Sequence, residues 1–340
     1  MEHWLAELLD TLPTLLLFTV IAVSLFTLSK GADILVDEAV SLSLRWGIPK
    51  MIIGATIVSI GTTLPEASVS VAAAVTGDPD IALGNAVGSI ICDTSLIIGI
   101  AALIRPLPVQ RELTDRQAWI HLGSGLLLVA AALPWSSLGR GISSQGIVPQ
   151  WMGFVFLALL VVYIYRTIVR ARQNSNQLAV EAVHIDTGPL PSLIFRMVLA
   201  LALIIVSSRV LIPTVQITAV RMGIPRSIIA ATLVAFGTSL PELSTAISAS
   251  RKGHGELAIG NVIGADILNV LFVVGSAAAV TPAGLTVPVN FTWFHFPVMI
   301  TVLVLFRLFL LSKSRTVGRL MGTVLLLFYV FYVVASYTII

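Results

Sequence analysis

Charge is what this sequence lacks. Of 340 residues only 11% are Asp, Glu, Lys or Arg, and 57% are hydrophobic, where a soluble domain carries roughly 25% charged residues. So sparse a set cannot cover a water-facing surface of ordinary size. That excludes a soluble enzyme, a nucleic-acid binder and a disordered chain. The one cysteine, Cys92, excludes a disulfide scaffold. The first ten residues hold Glu2, Glu7 and Asp10 but no Lys or Arg, the reverse of a secretory signal. No soluble regulatory module is expected either, because Asn174 to Pro191 is the one polar stretch between the halves and is too short for a domain.

What the chain has instead is apolar runs of about 20 residues, the length that crosses a bilayer. Ten are expected, at 11–45, 51–76, 81–104, 118–135, 150–169, 191–220, 227–250, 255–280, 291–311 and 320–339. Alternate connections then fall on opposite faces. One face takes Arg45, Lys50, Arg105, Arg111, Arg116, Arg166, Arg170, Arg172, Arg251, Lys252, Lys313, Arg315 and Arg319. The other takes Arg140, Arg221 and Arg226, with Lys30, Arg196, Arg209 and Arg307 inside spans. The basic face is expected to be cytoplasmic, with both termini outside, in a multi-pass inner-membrane protein.

Displaced by 176 residues, the sequence matches itself. Gly47–Gly99 against Gly223–Gly275 gives 22 identities in 53 pairs, concentrated in two blocks. Gly61-Thr62-Thr63-Leu64-Pro65-Glu66 aligns with Gly237-Thr238-Ser239-Leu240-Pro241-Glu242, and Gly84-Asn85-Ala86-Val87-Gly88 with Gly260-Asn261-Val262-Ile263-Gly264. Shared small residues alone arise by composition; two motifs in register do not. Five spans per half is an odd number, so the copies enter the membrane in opposite senses. Inverted repeats of this kind mark secondary transporters, with the site where the repeats meet. The expected architecture is an all-α polytopic membrane protein: ten transmembrane helices in two inverted five-helix repeats, 1–172 and 191–340, joined by a cytoplasmic loop at 173–190.

A glutamate inside an apolar span is expensive unless it is paired, protonated or beside a cation. Glu66 and Glu242 are both so placed. Each follows a proline, which frees the carbonyl one turn back near Gly61 or Gly237. With the hydroxyls of Thr62 and Thr238, these are hard oxygen donors suited to Ca²⁺ or Na⁺ rather than zinc or copper. Asn85, Ser89 and Asp93 lie on one helix face, matched by Asn261, Ala265 and Asn269. The two asparagines either cap the neighbouring kinked span or touch an ion. No Lys or Arg falls in these cores, so the counter-charge to Glu66, Asp93 and Glu242 must arrive as metal ion, sodium or proton.

These duplicated blocks resemble the α-repeats of the calcium/cation antiporter superfamily, in particular the prokaryotic sodium/calcium exchangers, and Gly31-Ala32-Asp33 in the first span is similar to that family too. The resemblance covers essentially the whole chain. It implies a cluster of ion sites at the repeat interface, one divalent and several for sodium, served by alternating access. It places the central glutamates on Glu66 and Glu242, and the hydroxyl and carbonyl donors on Ser59, Thr62, Thr63 and Ser89, then Ala235, Thr238 and Ser239. Ser59 and Ala235 would act through their carbonyls. Departures are visible. Similar members often carry Asn in the first repeat and Asp in the second where this chain has Asp93 and Asn269. Ala265 replaces an expected serine, and Asp266 stands where the family prefers Asn. On a helix Asp266 points about 60° from Asn269, either a fourth carboxylate at the site's edge or a packing residue.

The implied activity is export of Ca²⁺, or a similar divalent ion such as Mg²⁺ or Mn²⁺, against inward Na⁺, with no cofactor, no nucleic acid and no obligatory protein partner. H⁺ is the rival counter-ion, although related cation/proton exchangers usually place an acid where Gly88 stands. An intramembrane protease would have to pair Asp93 with Asp266 and leave the threonines and glutamates without a role, and a channel would not need paired kinks. His121, His184, His254 and His295 read as interface or loop residues, Cys92 as a packing residue, and Asp33, Asp37 and Glu38 as a solvated helix end. Trp4, Trp46, Trp119, Trp135, Trp151 and Trp293 read as interfacial anchors.

Overall fold

The computed structural model describes residues 7–133, 145–173, 189–223, 237–311 and 316–339. Water is absent from a bilayer core, so backbone polar groups must be satisfied within each segment, and helices result. In chain order they are α1 (Thr14–Trp46), α2 (Lys50–Thr62), α3 (Leu64–Thr76), α4 (Pro79–Ile104), α5 (Arg111–Ala132) and α6 (Gln150–Gln173). There follow α7 (Leu190–Arg221), α8 (Leu240–Arg251), α9 (Gly255–Ala279), α10 (Phe291–Leu310) and α11 (Arg319–Ile339). Among the described residues, seven helices are long and apolar enough to cross a membrane, or eight when α2 and α3, bent by 45°, are taken as one broken span. The bend falls at Thr63, just before Pro65.

Burial sorts the helices into a centre and a wall. The apolar stretch of α9 is 94% buried and that of α4 72%, whereas α11 reaches 17%, α6 22%, and α1 and α7 28% each. The two central helices carry the Gly-Asn blocks. The wall presents Phe195, Tyr165 and Leu320 outward, an apolar surface that only lipid solvates. Small residues set how closely the centre packs. A Cβ built on Gly54 of α2 would lie 2.6 Å from the Leu257 carbonyl of α9, and one on Gly264 2.6 Å from Ser59 Oγ. One on Gly260 would strike the Met51 carbonyl. Such close backbone approach is how helices associate where no hydrophobic force separates protein from solvent.

The repeat is written into the turns as well. Gly47 and Gly223 (φ 61° and 82°) end α1 and follow α7, while Gly77 and Gly253 (φ 80° and 81°) follow α3 and α8. Each pair is separated by the repeat spacing and adopts a left-handed conformation that a side chain resists.

Connections assigned to one face meet in space. At one end β1 (Leu107–Pro108) pairs antiparallel with β4 (Thr316–Val317), Gln110 donates to Glu256 at 2.8 Å, and Lys252 reaches Asp37 at 2.7 Å. At the other, β2 (Gly146–Val148) pairs with β3 (Leu285–Val287), and Arg221 reaches Asp10 at 3.3 Å.

Two sequence expectations need correction. Helix α5 was expected from 118 but begins at Arg111, so its first two turns carry charge. Asp115 is the reason they are tolerated, since its carboxylate pairs with the buried guanidinium of Arg307 on α10. That guanidinium also lies 4.8 Å from the ring of Trp119 in the third turn of α5. Asp33, Asp37 and Glu38 are likewise not simply solvated. Ser248 donates to Asp33 at 2.6 Å, Lys252 binds Asp37, and Arg196 binds Glu38 at 3.3 Å, tying α1 to α8 and α7.

Close packing predicts opposite outcomes at two glycines. Gly260→Val meets backbone rather than a yielding side chain, so it should cost more than the roughly 1–3 kcal/mol usual for an overpacked core. Gly123→Ala in α5, with nothing within 4 Å of its Cβ position, should be neutral or stabilise by up to about 1 kcal/mol. Thermal unfolding in detergent measures both; equal melting temperatures for the two variants would contradict the packing described.

Candidate cation-binding site

Proline places the first carboxylate. Pro65 and Pro241 sit in the first turns of α3 and α8, where a missing N–H costs nothing, and Glu66 and Glu242 follow them directly. Both glutamates are 1% exposed. The second carboxylate comes from a different local device. Helices α4 and α9 each contain a π-helical turn, Asp93–Ile97 and Asn269–Val274, and the two turns begin on repeat-related residues. A π turn inserts one residue into the helix and swings the side chains that follow. A third spans Gly54–Val58 in α2. Hydropathy and motif spacing carry no mark of these turns, and the sequence reading did not find them.

The structure brings the repeats' acids together. Glu242 and Asp93 are the charged groups that act on Glu66, and Asp266 and Glu242 those that act on Asp93. Thr63 of the first repeat donates to Glu242 Oε1 of the second at 3.4 Å, and Thr238 donates to Asn85 Oδ1 at 3.0 Å. Ser59, Thr62, Thr63, Ser89, Ser239 and Asn269 are all buried, and Thr238 is half-buried. The Thr62 hydroxyl reaches the Ser59 carbonyl at 3.3 Å, and that carbonyl also accepts the Thr63 N–H at 2.9 Å. Ala235 lies outside the described residues.

Most of the buried side-chain oxygens that lack a hydrogen-bond partner fall within this set. They include both oxygens of Glu66 and Asp93, Oε2 of Glu242, Oδ1 of Asp266, Asn261 and Asn269, and the hydroxyls of Ser89 and Ser239. Leaving a buried polar group without a partner costs about 1–3 kcal/mol and more for a charged one, so a cluster of them makes this region the candidate cation site. Among the described residues no three His, Cys, Asp or Glu side chains close on one point. The acids are interleaved with hydroxyl and amide oxygens, a mixture that suits a hard, oxygen-preferring cation and not a zinc cage.

The asparagines brace the kinks. Asn85 donates to the Glu66 carbonyl at 3.1 Å and to Ser70 at 3.0 Å, and Asn261 donates to Thr245 at 2.9 Å. Each amide thereby ties a central helix to its bent neighbour, which fixes where the glutamate stands.

His121 corrects the sequence reading. It is neither a loop nor an interface residue: it is 2% exposed, and its Nε2 lies 2.6 Å from Asp266 Oδ2. Thr94 donates to the same oxygen at 2.5 Å. Asp266 thus has one oxygen held and the other, Oδ1, without a partner. The signal was present in the sequence, because Thr114, Gln117, His121 and Ser124 form a buried polar stripe at helical spacing on α5. His295 lies in the first turn of α10 with Nδ1 3.2 Å from the Tyr332 hydroxyl, so it too is a helix-packing residue. His254 does lie in a turn, 3.3 Å from Lys50 Nζ; burial and then that ammonium push its imidazole below the ordinary value. Cys92 is fully buried, as a packing residue should be. His184 falls outside the described residues.

Removing one partner of a buried hydrogen bond leaves the survivor unsatisfied, at about 1–3 kcal/mol and more where the survivor is charged. His121→Ala should therefore lower the melting temperature sharply, and adding Asp266→Asn should recover much of the loss. A double-mutant cycle in thermal unfolding reads the coupling. Additive effects would show that the contact carries no energy.

With the geometry established, comparison with known proteins places it. The family model described as sodium/calcium exchanger protein matches residues 16–169 and 192–338, one stretch in each half. Inner membrane protein YrbG of Escherichia coli is 35% identical over 315 residues, covering 92% of this chain and 94% of that protein. Sodium/calcium exchanger MaX1 of Methanosarcina acetivorans is 30% identical, covering 95% and 99%. The sodium-calcium exchanger NCX_Mj, solved after soaking with 2.5 mM Na⁺ and 10 mM Sr²⁺, superposes with a TM-score of 0.76 at 25% identity, covering 96% of this chain and 100% of that one. The chain is a multi-pass membrane protein of the sodium/calcium exchanger family, a family of transporters and not of enzymes.

Proposed function

We propose that this chain exchanges Na⁺ for Ca²⁺ across the membrane by alternating access, exporting Ca²⁺ against inward Na⁺. The observation that carries the reading is the cluster of unpartnered, fully buried oxygens contributed by both repeats. Glu66, Glu242 and Asp93 supply its acids and Asn269 is the neutral counterpart of Asp93; the proposed neutral donors are Ser59, Thr62, Thr63, Ser89, Thr238 and Ser239, with Ala235, outside the described residues, taken from the family resemblance. Asp266, one oxygen held by His121 and Thr94, stands at the edge as a fourth carboxylate. The relatives named for sodium/calcium exchange support the choice of ions.

The coupling is electrostatic. Acids that stay negative cannot be carried through a low-dielectric core without counter-charge, because each uncompensated charge costs several kilocalories. One divalent ion, or several monovalent ones, satisfies the same oxygens and lets the carrier rearrange. An unloaded site holds it in place. Exchange follows because the two loads share ligands and exclude each other.

Ten spans in two inverted five-helix repeats, 1–172 and 191–340, give this mechanism its symmetry. The meeting of connections at two ends and the repeat-related π turns and glycine turns support that count. The basic connections place residues 173–190 in the cytoplasm and both termini outside an inner membrane.

Vesicles holding the purified protein test the reading. An imposed Na⁺ gradient should drive uptake of radioactive Ca²⁺, and K⁺ or H⁺ gradients should not; uptake driven by H⁺ alone would make the chain a cation/proton antiporter. Presenting Mg²⁺ and Mn²⁺ in parallel tests the divalent choice. Glu66→Gln or Glu242→Gln should cut exchange by at least two orders of magnitude while the protein elutes and melts as folded. Full flux in either variant overturns the ligand assignment.

A further inference from the structure

A cleft of about 350 Å³ opens between α5 and α6, away from the cation site. Two helical stripes face each other across it. On α5 the stripe runs Arg116, Ile120, Leu127; on α6, which returns in the opposite direction, it runs Arg166, Val162, Leu159. Both begin with an exposed arginine at the same end and become apolar with depth. From Arg116 to Leu127 is about 16 Å at the helical rise, close to half of the roughly 30 Å hydrocarbon core and so the depth of one leaflet.

From this cleft we propose a binding site for one anionic phospholipid, its phosphate between Arg116 and Arg166 and an acyl chain along the apolar stripes. Charge complementarity selects the occupant. Guanidinium groups match a phosphate's oxygens in planar, paired geometry, and two of them favour a headgroup that carries no ammonium of its own. A free phosphate would leave Ile120, Leu127, Leu159 and Val162 uncovered. A neutral acyl chain would leave the arginines without an anion.

The back of the cleft touches the transport machinery. Leu271 lines it and lies in the π turn that begins at Asn269. Tyr163 also lines it, and its hydroxyl donates to the Ala55 carbonyl in the π turn of α2 at 3.2 Å and lies 3.2 Å from Gln117 Oε1 of α5. A seated lipid therefore braces α5 and α6 against the two helices that carry the cation donors, and its occupancy should be read as stability of the whole protein.

Detergent-purified full-length protein, titrated with phosphatidylglycerol while thermal unfolding is followed, tests this. Wild type should melt higher with phosphatidylglycerol than with phosphatidylcholine, and inorganic phosphate at matched concentration should give no shift. Arg116→Gln with Arg166→Gln should weaken the phosphatidylglycerol response about tenfold or more, from the loss of two basic residues at an anionic headgroup. The pair Arg116→Lys with Arg166→Lys should retain part of it and serve as a folded control. Leu127→Trp should block the tail end with both arginines intact and weaken the response similarly. An unchanged response in the double Gln variant, an equal response to phosphatidylcholine, or a shift produced by inorganic phosphate alone would each overturn the proposal.

Discussion

Everything in this molecule is arranged around acids that have been taken out of water. Glu66, Asp93, Glu242 and Asp266 are each at most 1% exposed, and among the described residues none of them pairs with a lysine or arginine. Burying one ionised carboxylate without a partner is expensive; burying several that repel one another is worse. The fold supplies hydroxyls, amides and a single imidazole, none of which neutralises the group as a whole. In the proposed exchange a cation from outside completes it.

Holding such a group demands rigid neighbours. Glycines at 54, 260 and 264 let α2 and α9 touch backbone to backbone, so the donors on those helices cannot drift apart. Asn85 and Asn261 cross-tie each bent segment to a central helix. The π turns at Asp93 and Asn269 add local freedom where the donors sit. The lipid-facing wall is built on another rule, with large apolar side chains turned outward, while the buried guanidinium of Arg307 is paired with Asp115.

Much of this was legible in the chain itself. The duplicated Gly-Thr-x-Leu-Pro-Glu and Gly-Asn-x-x-Gly blocks mark the buried glutamates and the asparagines that brace them, because proline, glycine and a lone acid act on the backbone within one or two turns. Burial of Thr62 and Thr63 beside Glu66 accords with the same spacing. Other features were illegible for a definite reason. Helix α5 was placed too short because Asp115 and Arg116 depress its hydropathy, and only contact with Arg307 on α10 shows why Asp115 is tolerated.

Sequence alone therefore determined the repeated motifs and the membrane setting, each of which is encoded by neighbours along the chain. Tertiary structure decided who meets whom. It joined His121 to Asp266 across 145 residues, turned Asn85 toward Thr238 of the other repeat, and left the oxygens of Glu66 and Asp93 without partners. Helical periodicity specifies the face on which a residue lies; what stands opposite that face is set only when helices distant in sequence pack together.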